Sequence, residues 1–402
     1  MLKKILKSYD YSLIIAVVLL AVFGLVMIYS ASMVTAVQWY KVESDHFYIK
    51  QKTHLVKSAI AFFFMAFFPY KAMKSNKVLV PMVCLSLLGL FALFIFGHVA
   101  GNAQSWIKVG GGSVQPSEFV KLSVIIYLSA VYAKKQPYIN EFNKGVMPPL
   151  VYLFLACFLI FIEPDFGTAA IIFLIAATIV VCSGMNLKNI FRLGMIGLLV
   201  AIPFTLLMWN KLFSPVRLAR VEAFINPFSS ELDIGYQLVN SYLAIGSGGI
   251  KGLGIGQSVQ KLGYLPEAHT DFIMAVIAEE LGTFGVCFVL FTLAYIVLRG
   301  YYIALRCKDP FGSLLAIGVS SMIGIQSFIN LAGISGVIPL TGVPLPFVSY
   351  GGSSLLQLSL AMGILVNVSM FVNYEQKYKH KEGKKQPDPV QEPSGNVYYY
   401  RK

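Results

Sequence analysis

The sequence has little charge and few cysteines, and both shortages narrow the class of protein. Only 13% of its 402 residues are charged and 57% are hydrophobic, whereas a soluble domain carries about 25% charged residues. The five cysteines include no CxxC motif, and four of them lie within apolar runs, so the sequence contains no recognisable zinc site or disulfide framework. Long apolar runs recur instead, which excludes an ordinary soluble domain and predicts a polytopic membrane protein.

The excess of positive charge does not indicate nucleic-acid binding. The chain carries a formal net charge of +13, but Lys and Arg accumulate on the cytoplasmic side of membrane proteins, where they set orientation and meet anionic lipids. We therefore expect no nucleic-acid partner, and we use the basic residues to predict topology.

Ten apolar runs are long enough to cross a bilayer, which takes about 17–25 residues in an α-helix. They lie near residues 12–32, 54–70, 78–97, 117–133, 146–163, 166–183, 190–209, 270–298, 312–334 and 345–373. Every second connector is basic, starting with the lysines that precede the first run. Because Lys and Arg favour cytoplasmic loops, the pattern predicts an all-α polytopic membrane protein of ten spans with both termini cytoplasmic.

This topology divides the chain into a membrane domain, residues 1–373, and a basic tail, residues 374–402. The tail is rich in Lys, Pro and Gln and has little apolar surface to bury, so we predict that it is disordered and cytoplasmic. Residues 210–269 form the largest extracytoplasmic loop, between the seventh and eighth spans.

Two polar clusters lie at the predicted outer ends of spans. In the segment QPSEFVK, Glu118 and Lys121 are three residues apart and share a helix face. They form either a local ion pair at a helix entry or part of a cavity in which Lys121 meets an anion. In the segment EPDFGT, Pro164 and the flanking acids indicate a tight turn, with an acid and the Thr capping the next helix.

The long outer loop contains two further motifs. Arg217 and Arg220 can share one face of a short helix, and arginine suits phosphate because its planar fork donates bidentate hydrogen bonds. Snorkelling toward lipid headgroups is the alternative. The run from Gly246 to Gly256 resembles a nucleotide-binding loop only superficially, because no parallel-sheet context accompanies it. We interpret that run as flexible packing or a hinge.

The segment LPEAHTDFIMAVIAEELG concentrates acids at the start of a long apolar run. The structural interpretation is that Thr270 or Asp271 caps a helix beginning at Phe272. Glu279 and Glu280 lie two to three turns farther in, where carboxylates are expected to face a partner or a water-filled cavity. Together, the outer acids and cations indicate that an anionic amphiphile reaches the outer face of the bilayer.

These motifs, in this order, resemble those of the SEDS (FtsW/RodA/SpoVE) family of peptidoglycan polymerases. The resemblance extends to about residue 375 and rests on LVMIYSAS, QPSEFVKL, EPDFGTA, RLARVEAFINPF, KLGYLPEAHTDFIMAVIAEELG and PLPFVSYGGSS. The segment VMIYSAS and the basic tail are more like the division branch, FtsW, than the elongation branch, and the sporulation branch is similar. The resemblance implies a ten-span glycosyltransferase that polymerises lipid II outside the bacterial cytoplasmic membrane. It also implies a class B penicillin-binding protein as partner and, for the division branch, a place at the septum among other division proteins.

The resemblance also assigns residues. It implies that Asp271 is the essential acid of the outer loop, and that Lys121 and Glu118 are the family's cavity lysine and its neighbouring acid. The remaining predicted substrate-binding residues are Arg217, Arg220, Lys261, Glu267, His269, Ser349 and Ser353. In one departure, Ser105 stands where many relatives have Arg, which removes a cation expected near the substrate. Nothing in the sequence shows that Lys108 replaces that cation.

Polymerisation joins C1 of MurNAc to the 4-hydroxyl of GlcNAc with inversion, because the donor is α-linked and the product is β-linked. That step needs a base near the hydroxyl and positive charge on the departing pyrophosphate. We predict that Asp271 is the base or orients the acceptor, and that Arg217, Arg220 and Lys121 bind pyrophosphate. A divalent cation, Mg²⁺ or Mn²⁺, is an optional cofactor for which the sequence shows no closed ligand set. A helix N-terminus would lower the pKa of Asp271, whereas burial would raise it.

Two other classes of function compete with this one. A lipid II flippase is the first, since many-span proteins with intramembrane polar residues are often transporters. The clustering of the polar residues on one side of the membrane argues against it. A structural scaffold for the division complex is the second. Within the family, the elongation and sporulation polymerases are further alternatives.

Overall fold

The computed structural model describes residues 2–100, 103–109, 112–207, 209, 213–230 and 235–379. The helices are α1 (Leu2–Leu6), α2 (Tyr11–Gln38), α3 (His46–Phe67), α4 (Asn76–Phe96), α5 (Pro116–Lys134), α6 (Met147–Ile162), α7 (Phe166–Cys182), α8 (Leu187–Leu207), α9 (Pro215–Ile225), α10 (Tyr236–Gly248), α11 (Ile273–Arg306), α12 (Pro310–Ile334) and α13 (Gly352–Tyr374). The strands are β1 (Gly97–Ala100), β2 (Ala103–Val109) and β3 (Gly112–Val114). Short 3₁₀ helices span Tyr70–Lys74, Gln136–Tyr138, Pro227–Ser230 and Gln260–Leu262, and π-helical turns span Phe142–Val146 and Glu375–Lys379.

Helix boundaries follow capping signals in the sequence. The Asp10 carboxylate accepts a hydrogen bond from the Leu13 backbone N–H at the start of α2. Asp165 accepts one from the Thr168 N–H at the start of α7. Pro116 occupies the first turn of α5, where its missing N–H would have had no partner within the helix. The prediction that an acid of the EPDFGT turn caps the next helix is therefore confirmed for Asp165.

Seven helices in the described part of the chain are long and apolar enough to cross a membrane. They are Tyr11–Gln38, Asn76–Phe96, Pro116–Lys134, Phe142–Ile162, Ile273–Arg306, Pro310–Ile334 and Gly352–Tyr378. α7 is apolar but shorter, and each of the ten predicted runs overlaps one of the helices α2–α8 and α11–α13. The prediction of a multi-pass membrane protein is confirmed, and the count of ten spans stays a prediction.

A three-stranded antiparallel sheet follows α4, which corrects the prediction of an all-α fold. β1 pairs with β2, and β2 pairs with β3. Gly97 lies opposite Ile107, and Lys108 lies opposite Ser113. A search for long apolar runs misses this sheet because its strands are only three to seven residues long. Their formation depends on backbone pairing between strands, which such a search does not detect.

Three helices form the interior of the bundle. Among the apolar spans, α5, α12 and α13 have the largest buried shares. α12 packs against α5, α7 and α11, while α13 packs along α3. The approach of α3 and α13 is close, since a Cβ on Gly363 would lie 2.5 Å from the Phe62 carbonyl oxygen. Small residues permit such contacts between membrane helices.

The segment 210–269, predicted as one large loop, contains the helices α9 and α10. α9 begins with Pro215 at its first position, a placement that favours helix initiation. α10 packs on α11. Residues 210–212 and 231–234 of this segment lie outside the described residues.

The glycine-rich run after α10 is fixed to α11 by backbone hydrogen bonds. α11 is interrupted at Gly282, whose φ of 60° and ψ of −153° are not helical, so nearby backbone groups pair outside the helix. The N–H of Leu253 donates to the carbonyl of Glu279 at 2.9 Å. A Cβ on Gly252 would lie 2.3 Å from the carbonyl oxygen of Glu280. The run is therefore packed on α11 rather than free, and the prediction of flexible packing is corrected.

Both boundaries of the last span differ from the prediction. Residues 345–351 form irregular backbone, and α13 starts only at Gly352, because Pro344 and Pro346 cannot donate the backbone hydrogen bonds of a helix interior. α13 runs one residue beyond the predicted end of the membrane domain, and the π-helical turn Glu375–Lys379 follows. Residues 380–402, on which most of the predicted disorder falls, lie outside the described residues.

Candidate active site

Asp271 lies in a turn immediately before α11. α11 begins at Ile273, and its N-cap residue Phe272 makes no side-chain capping hydrogen bond. The prediction that Thr270 or Asp271 caps the helix is therefore wrong. The Thr270 hydroxyl bonds within the turn, since its Oγ1 lies 3.0 Å from Asp271 Oδ1 and 2.7 Å from Glu267 Oε2. The Asp271 carboxylate is thus not committed to the helix terminus.

Burial is the main cause that raises the pKa of Asp271 to about 6. The Glu267 carboxylate raises it as well, while the Thr270 hydroxyl and the Arg220 guanidinium oppose the rise. The side chain does not cap α11, and burial outweighs the contacts that lower the pKa of Asp271. A carboxylate with this pKa is mostly ionised at neutral pH, yet basic enough to accept a proton during a reaction.

A side chain from α12 reaches the Asp271 turn. Asn330 is buried, and its amide nitrogen donates to the backbone oxygens of Asp271 at 2.7 Å and of Val343 at 2.8 Å. A Cβ on Gly342 would lie 3.9 Å from Asp271 Oδ2, so residues 341–343 form a wall beside the carboxylate. The sequence analysis missed Asn330, although a polar side chain inside an apolar run is itself a signal of function.

His269 is buried among aromatic rings two residues before Asp271. Its ring centroid lies 4.4 Å from that of Phe47 and 5.6 Å from that of Tyr350. Its backbone oxygen accepts a hydrogen bond from the Tyr350 N–H at 2.9 Å. Burial lowers the pKa of His269, so the imidazole is neutral at neutral pH. His269 therefore joins the Asp271 turn to α3 and to the segment before α13, and its predicted substrate contact stays a prediction.

Glu279 and Glu280 contact protein partners rather than a water-filled cavity, the other environment expected for them. Lys261 Nζ lies 2.6 Å from Glu280 Oε1, with side chains only 4% and 0% exposed, and the Ser30 hydroxyl of α2 hydrogen-bonds to both. Glu279 accepts hydrogen bonds from the Ser258 hydroxyl and from the backbone N–H groups of Val259 and Gln260. The Lys261 ammonium is committed to Glu280, which argues against its predicted contact with substrate.

Lys121 and Glu118 form a buried ion pair on α5. Nζ lies 2.7 Å from Oε1, and the two side chains are 1% and 5% exposed. The second carboxylate oxygen, Glu118 Oε2, has no hydrogen-bond partner in the part of the chain that the structure describes. The predicted local ion pair is confirmed, and contact of Lys121 with an anion stays a prediction.

The α6–α7 turn brings further acids to the Lys121 end of α5. Gln115 Nε2 donates to Asp165 Oδ2 at 3.3 Å. Burial raises the pKa of Asp165, while the Lys121 ammonium opposes the rise. Burial also raises the pKa of Glu163 to about 8, and neither of its carboxylate oxygens has a partner among the described residues. Glu163 is thus mostly protonated at neutral pH, a property that its place in a turn motif did not predict.

Arg217 and Arg220 lie on α9 in different environments. The Arg217 guanidinium stacks 3.9 Å from the centroid of the Phe166 ring and donates to the Pro164 carbonyl at 3.4 Å. Arg220 is exposed, and its charge acts on the carboxyl of Asp271. Arg217 therefore attaches α9 to the α6–α7 turn, and Arg220 is the more accessible of the two cations.

Ser349 and Ser353 are buried and organise the start of α13. Ser349 Oγ accepts a hydrogen bond from the Leu345 N–H at 2.8 Å. Ser353 Oγ accepts one from the Gln115 N–H at 3.1 Å. Both hydroxyls connect backbone segments in this structure, so their contact with substrate stays a prediction.

Residues 341–343 connect the two groups of predicted site residues. Gly342 borders Asp271, and a Cβ on Gly167 of α7 would lie 3.5 Å from the Thr341 carbonyl oxygen. The structure thus places Asp271 and the Lys121 end of α5 on the same side of the bundle. A surface pocket at the opposite end of α6 is lined by Glu141, Phe142, Asn143, Lys144 and Arg192 and is not part of this site.

Two further questions are whether Lys108 replaces the cation absent at position 105 and whether the described residues could hold a metal ion. Ser105 is buried, whereas Lys108 is exposed and three positions along the same strand. Side chains three apart in a strand point to opposite faces, so Lys108 does not take the place of an Arg at position 105. In the described ranges, no three His, Cys, Asp or Glu side chains group to hold a metal ion. These residues do not fit a closed divalent-cation site.

Comparison with known proteins decides the family. The family described as cell cycle protein, FtsW/RodA/SpoVE, matches residues 11–374. The chain belongs to this family. It is 58% identical over 385 residues to the "Probable peptidoglycan glycosyltransferase FtsW" of Bacillus subtilis, which covers 95% of this chain and 96% of the relative. It is 38% identical to the "Stage V sporulation protein E" of the same organism, over 91% of this chain and 98% of the relative.

Two solved structures share the fold. A chain from a structure titled "Structural coordination of polymerization and crosslinking by a peptidoglycan synthase complex" matches with a TM-score of 0.70 and 24% identity, over 90% of this chain and 98% of that chain. The crystal structure of the rod shape determining protein RodA of Thermus thermophilus matches with a TM-score of 0.64 and 23% identity, over 90% and 96% of the two chains. At these identities the likeness establishes the architecture alone.

Proposed function

We propose that this chain is a peptidoglycan glycosyltransferase that polymerises lipid II into glycan strands at the outer face of the cytoplasmic membrane, for septal cell-wall synthesis. The observation that carries the proposal is the 58% identity to the Bacillus subtilis FtsW over nearly the full length of both proteins. The lower identity to the sporulation protein, 38%, favours the division branch. The Asp271 turn and the nearby Arg220 provide a site that suits the chemistry.

The proposed topology has ten spans with both termini in the cytoplasm. Its support is that the two ends of the membrane domain meet: Asn373 Nδ2 at the end of α13 donates to the Ser8 carbonyl at 3.0 Å. Ends that meet on one side require an even number of crossings. The basic connectors support a cytoplasmic assignment of this side, and the proposed topology has Asp271 at the outer face.

In the proposed mechanism, Asp271 accepts the proton of the acceptor hydroxyl. The hydroxyl oxygen forms a bond to C1 of the donor sugar, the bond from C1 to the pyrophosphate oxygen breaks, and its electron pair leaves with the pyrophosphate. Arg220 is exposed and is therefore the more accessible arginine of α9 for stabilising that departing charge. Lys121 is buried and already neutralised by Glu118, so it contributes positive charge only to a group that enters between them. No step is assigned to a metal ion.

The proposed partner is a class B penicillin-binding protein, which would crosslink the strands that this chain makes. The support is the solved peptidoglycan synthase complex with the same fold, which is described as coordinating polymerization and crosslinking. Other membrane proteins of the division complex are further proposed partners at the septum. A tagged copy should therefore concentrate at the division site, and an even distribution along the side wall would favour the elongation branch instead.

The first prediction is that Asp271→Asn abolishes polymerisation. A positioned general base contributes ~10²–10⁴-fold in rate, and the amide has the same shape but cannot accept the proton. The assay supplies lipid II to purified protein in detergent and measures glycan chains by gel electrophoresis. Chains formed by the wild type in detergent exclude transport as the sole activity, because no membrane has to be crossed.

The matched control is Asp45→Asn. Asp45 precedes α3 and makes no side-chain capping hydrogen bond, so this variant should keep wild-type activity. Comparable glycan synthesis by Asp271→Asn and the control would remove Asp271 from the reaction.

A further inference from the structure

Asn330 connects three parts of the chain that are far apart in sequence. It lies on α12 and is 3% exposed. Its amide nitrogen donates one hydrogen bond to the Asp271 backbone oxygen at 2.7 Å and one to the Val343 backbone oxygen at 2.8 Å. Both protons of the amide group are therefore used, and they join the turn before α11 to the segment before α13.

The two acceptor oxygens belong to the two backbone segments that lie next to the Asp271 carboxylate. One belongs to residue 271 itself. The other belongs to Val343, beside Gly342, whose φ of 72° turns the chain so that a Cβ there would lie 3.9 Å from Asp271 Oδ2. Asn330 thus fixes the distance between the carboxylate and the wall it faces, and no other residue type of this size donates two hydrogen bonds from one neutral atom.

The turn itself leaves the position of Asp271 weakly defined. The side-chain contacts of Thr270 stay within the turn, and α11 begins without a side-chain cap. The backbone hydrogen bond from Phe272 to the Glu267 carbonyl is long, at 3.4 Å. The Tyr350 N–H holds the turn at residue 269, whereas the hydrogen bond from Asn330 of α12, a helix packed in the centre of the bundle, holds the backbone of residue 271 itself.

We propose that Asn330 is a positioning residue for the glycosyl transfer, acting through Asp271. This inference rests on the proposed role of Asp271 as the base. A misplacement of about 1 Å can lower a catalysed rate about 10²-fold. Loss of the double hydrogen bond releases both the Asp271 peptide and residues 341–343, so it lowers kcat without removing any group that binds lipid II.

The test compares Asn330→Ala and Asn330→Asp with the wild type in the detergent assay. The Asp variant has nearly the same volume but cannot donate two hydrogen bonds, so it keeps the inference testable if the Ala variant fails to fold. Lipid II is varied to separate kcat from KM, and rates are normalised to the monodisperse protein in size-exclusion chromatography. We expect kcat to fall about 10²-fold in both variants, with KM within about twofold of the wild type as an unaltered binding site requires.

Asn367→Ala is the matched control. Asn367 is a buried asparagine of α13 that also bridges backbone groups, donating to the Ala66 carbonyl at 2.6 Å and accepting from the Tyr70 N–H at 2.9 Å, but it lies far along the bundle from Asp271. This variant should lose thermal stability as much as the Asn330 variants while its kcat stays near the wild-type value. A merely structural Asn330 would instead give activity that follows stability in all three variants.

Parallel assays of Asp271→Asn keep the two proposals separate. If Asp271→Asn remains active, Asp271 is not the base, and the positioning role of Asn330 is overturned as well. If Asp271→Asn is inactive while Asn330→Asp keeps kcat within about twofold of the wild type, only the positioning role of Asn330 is overturned. A rise in KM with unchanged kcat would also overturn it, because that result places Asn330 in substrate binding.

Discussion

At the scale of single residues, Asp271 owes its chemistry to segments that lie far away in sequence. A carboxylate before a helix normally has a lowered pKa. Here the side chain does not cap α11, and Asn330 and Gly342 bring α12 and the segment before α13 against it. Burial then raises the pKa of Asp271 to about 6, which leaves a carboxylate that is ionised at neutral pH and can still take up a proton.

Polymerisation should therefore depend on the ionisation of Asp271. The carboxylate is the active form, so activity rises as the pH increases through about 6 and levels off at higher pH. Glu267 raises this pKa and Arg220 lowers it. We expect Glu267→Gln to move the midpoint of the kcat/KM profile to lower pH and Arg220→Gln to move it to higher pH. The measurement is the initial rate of glycan formation across this pH range, since kcat/KM reports the groups of the free enzyme.

Arg217→Gln provides the control for the pH profile. Arg217 lies on the same helix but stacks on Phe166, so its loss should leave the midpoint in place. Shifts of the two test variants in the same direction would show that another group titrates in the reaction.

At the scale of elements, the segment 249–262 and α11 form one hydrogen-bonded unit. The break at Gly282 lets the backbone after α10 pair with α11. Glu280 binds Lys261 and Ser30 in the same region, and Glu279 binds the backbone that precedes Lys261. The Asp271 turn follows directly along the chain, so this attachment defines where the turn begins.

The sequence predicts the helices of this unit but not their connections. Apolar length locates α11 and α12 because burial in lipid needs an uninterrupted run. The same criterion hides Gly282, since glycine is common in membrane helices and its φ depends on the pairing of Leu253 with α11. Motifs record residue types and their order along the chain, which is enough to locate Asp271 and Lys121. They contain no information about contacts in space, so they miss Asn330. Which backbone oxygen a buried amide meets is decided only by packing.

Removing one partner of the Lys261–Glu280 pair should destabilise the protein. Glu280→Leu leaves the Lys261 ammonium buried without its carboxylate, a change that costs ~3–5 kcal/mol in buried pairs. The double variant Lys261→Met, Glu280→Leu removes both charges and should recover most of that loss, because apolar side chains of similar volume can replace a buried ion pair. Thermal unfolding of the single and double variants in detergent measures the coupling between the two residues.

The exposed pair Lys144–Glu141 is the control for this cycle. Its atoms lie 3.2 Å apart and its side chains are 77% and 50% exposed. Glu141→Leu should therefore change stability by no more than ~1 kcal/mol. Additive losses at Lys261 and Glu280, with no recovery in the double variant, would show that the pair does not hold this segment on α11.

At the scale of the whole molecule, the bundle separates a basic end from an end that carries the site. The basic end is closed by contacts of the segment between α1 and α2 with α13 and α11: Asn373 binds Ser8, and Arg299 binds Asp10. The other end collects Asp271, Lys121 and residues 341–343. This division suits an enzyme whose substrate lies in the outer leaflet. It depends on three helices, α3, α7 and α8, that length and hydropathy do not by themselves identify as spans.

The ten-span topology makes a prediction for the ends of α3 and α8. In a variant without the five native cysteines, Ser44→Cys before α3 and Ser229→Cys after α9 should react with a membrane-impermeant maleimide added to intact cells. Lys77→Cys after α3 and Lys188→Cys at the start of α8 should react only after permeabilisation. All four positions are exposed in the structure, so a lack of labelling reports the membrane and not burial. Labelling of Ser44→Cys and Lys77→Cys from the same side would show that α3 does not cross. That result would contradict the ten-span topology, in which both ends of the chain lie on the side of the membrane opposite Asp271.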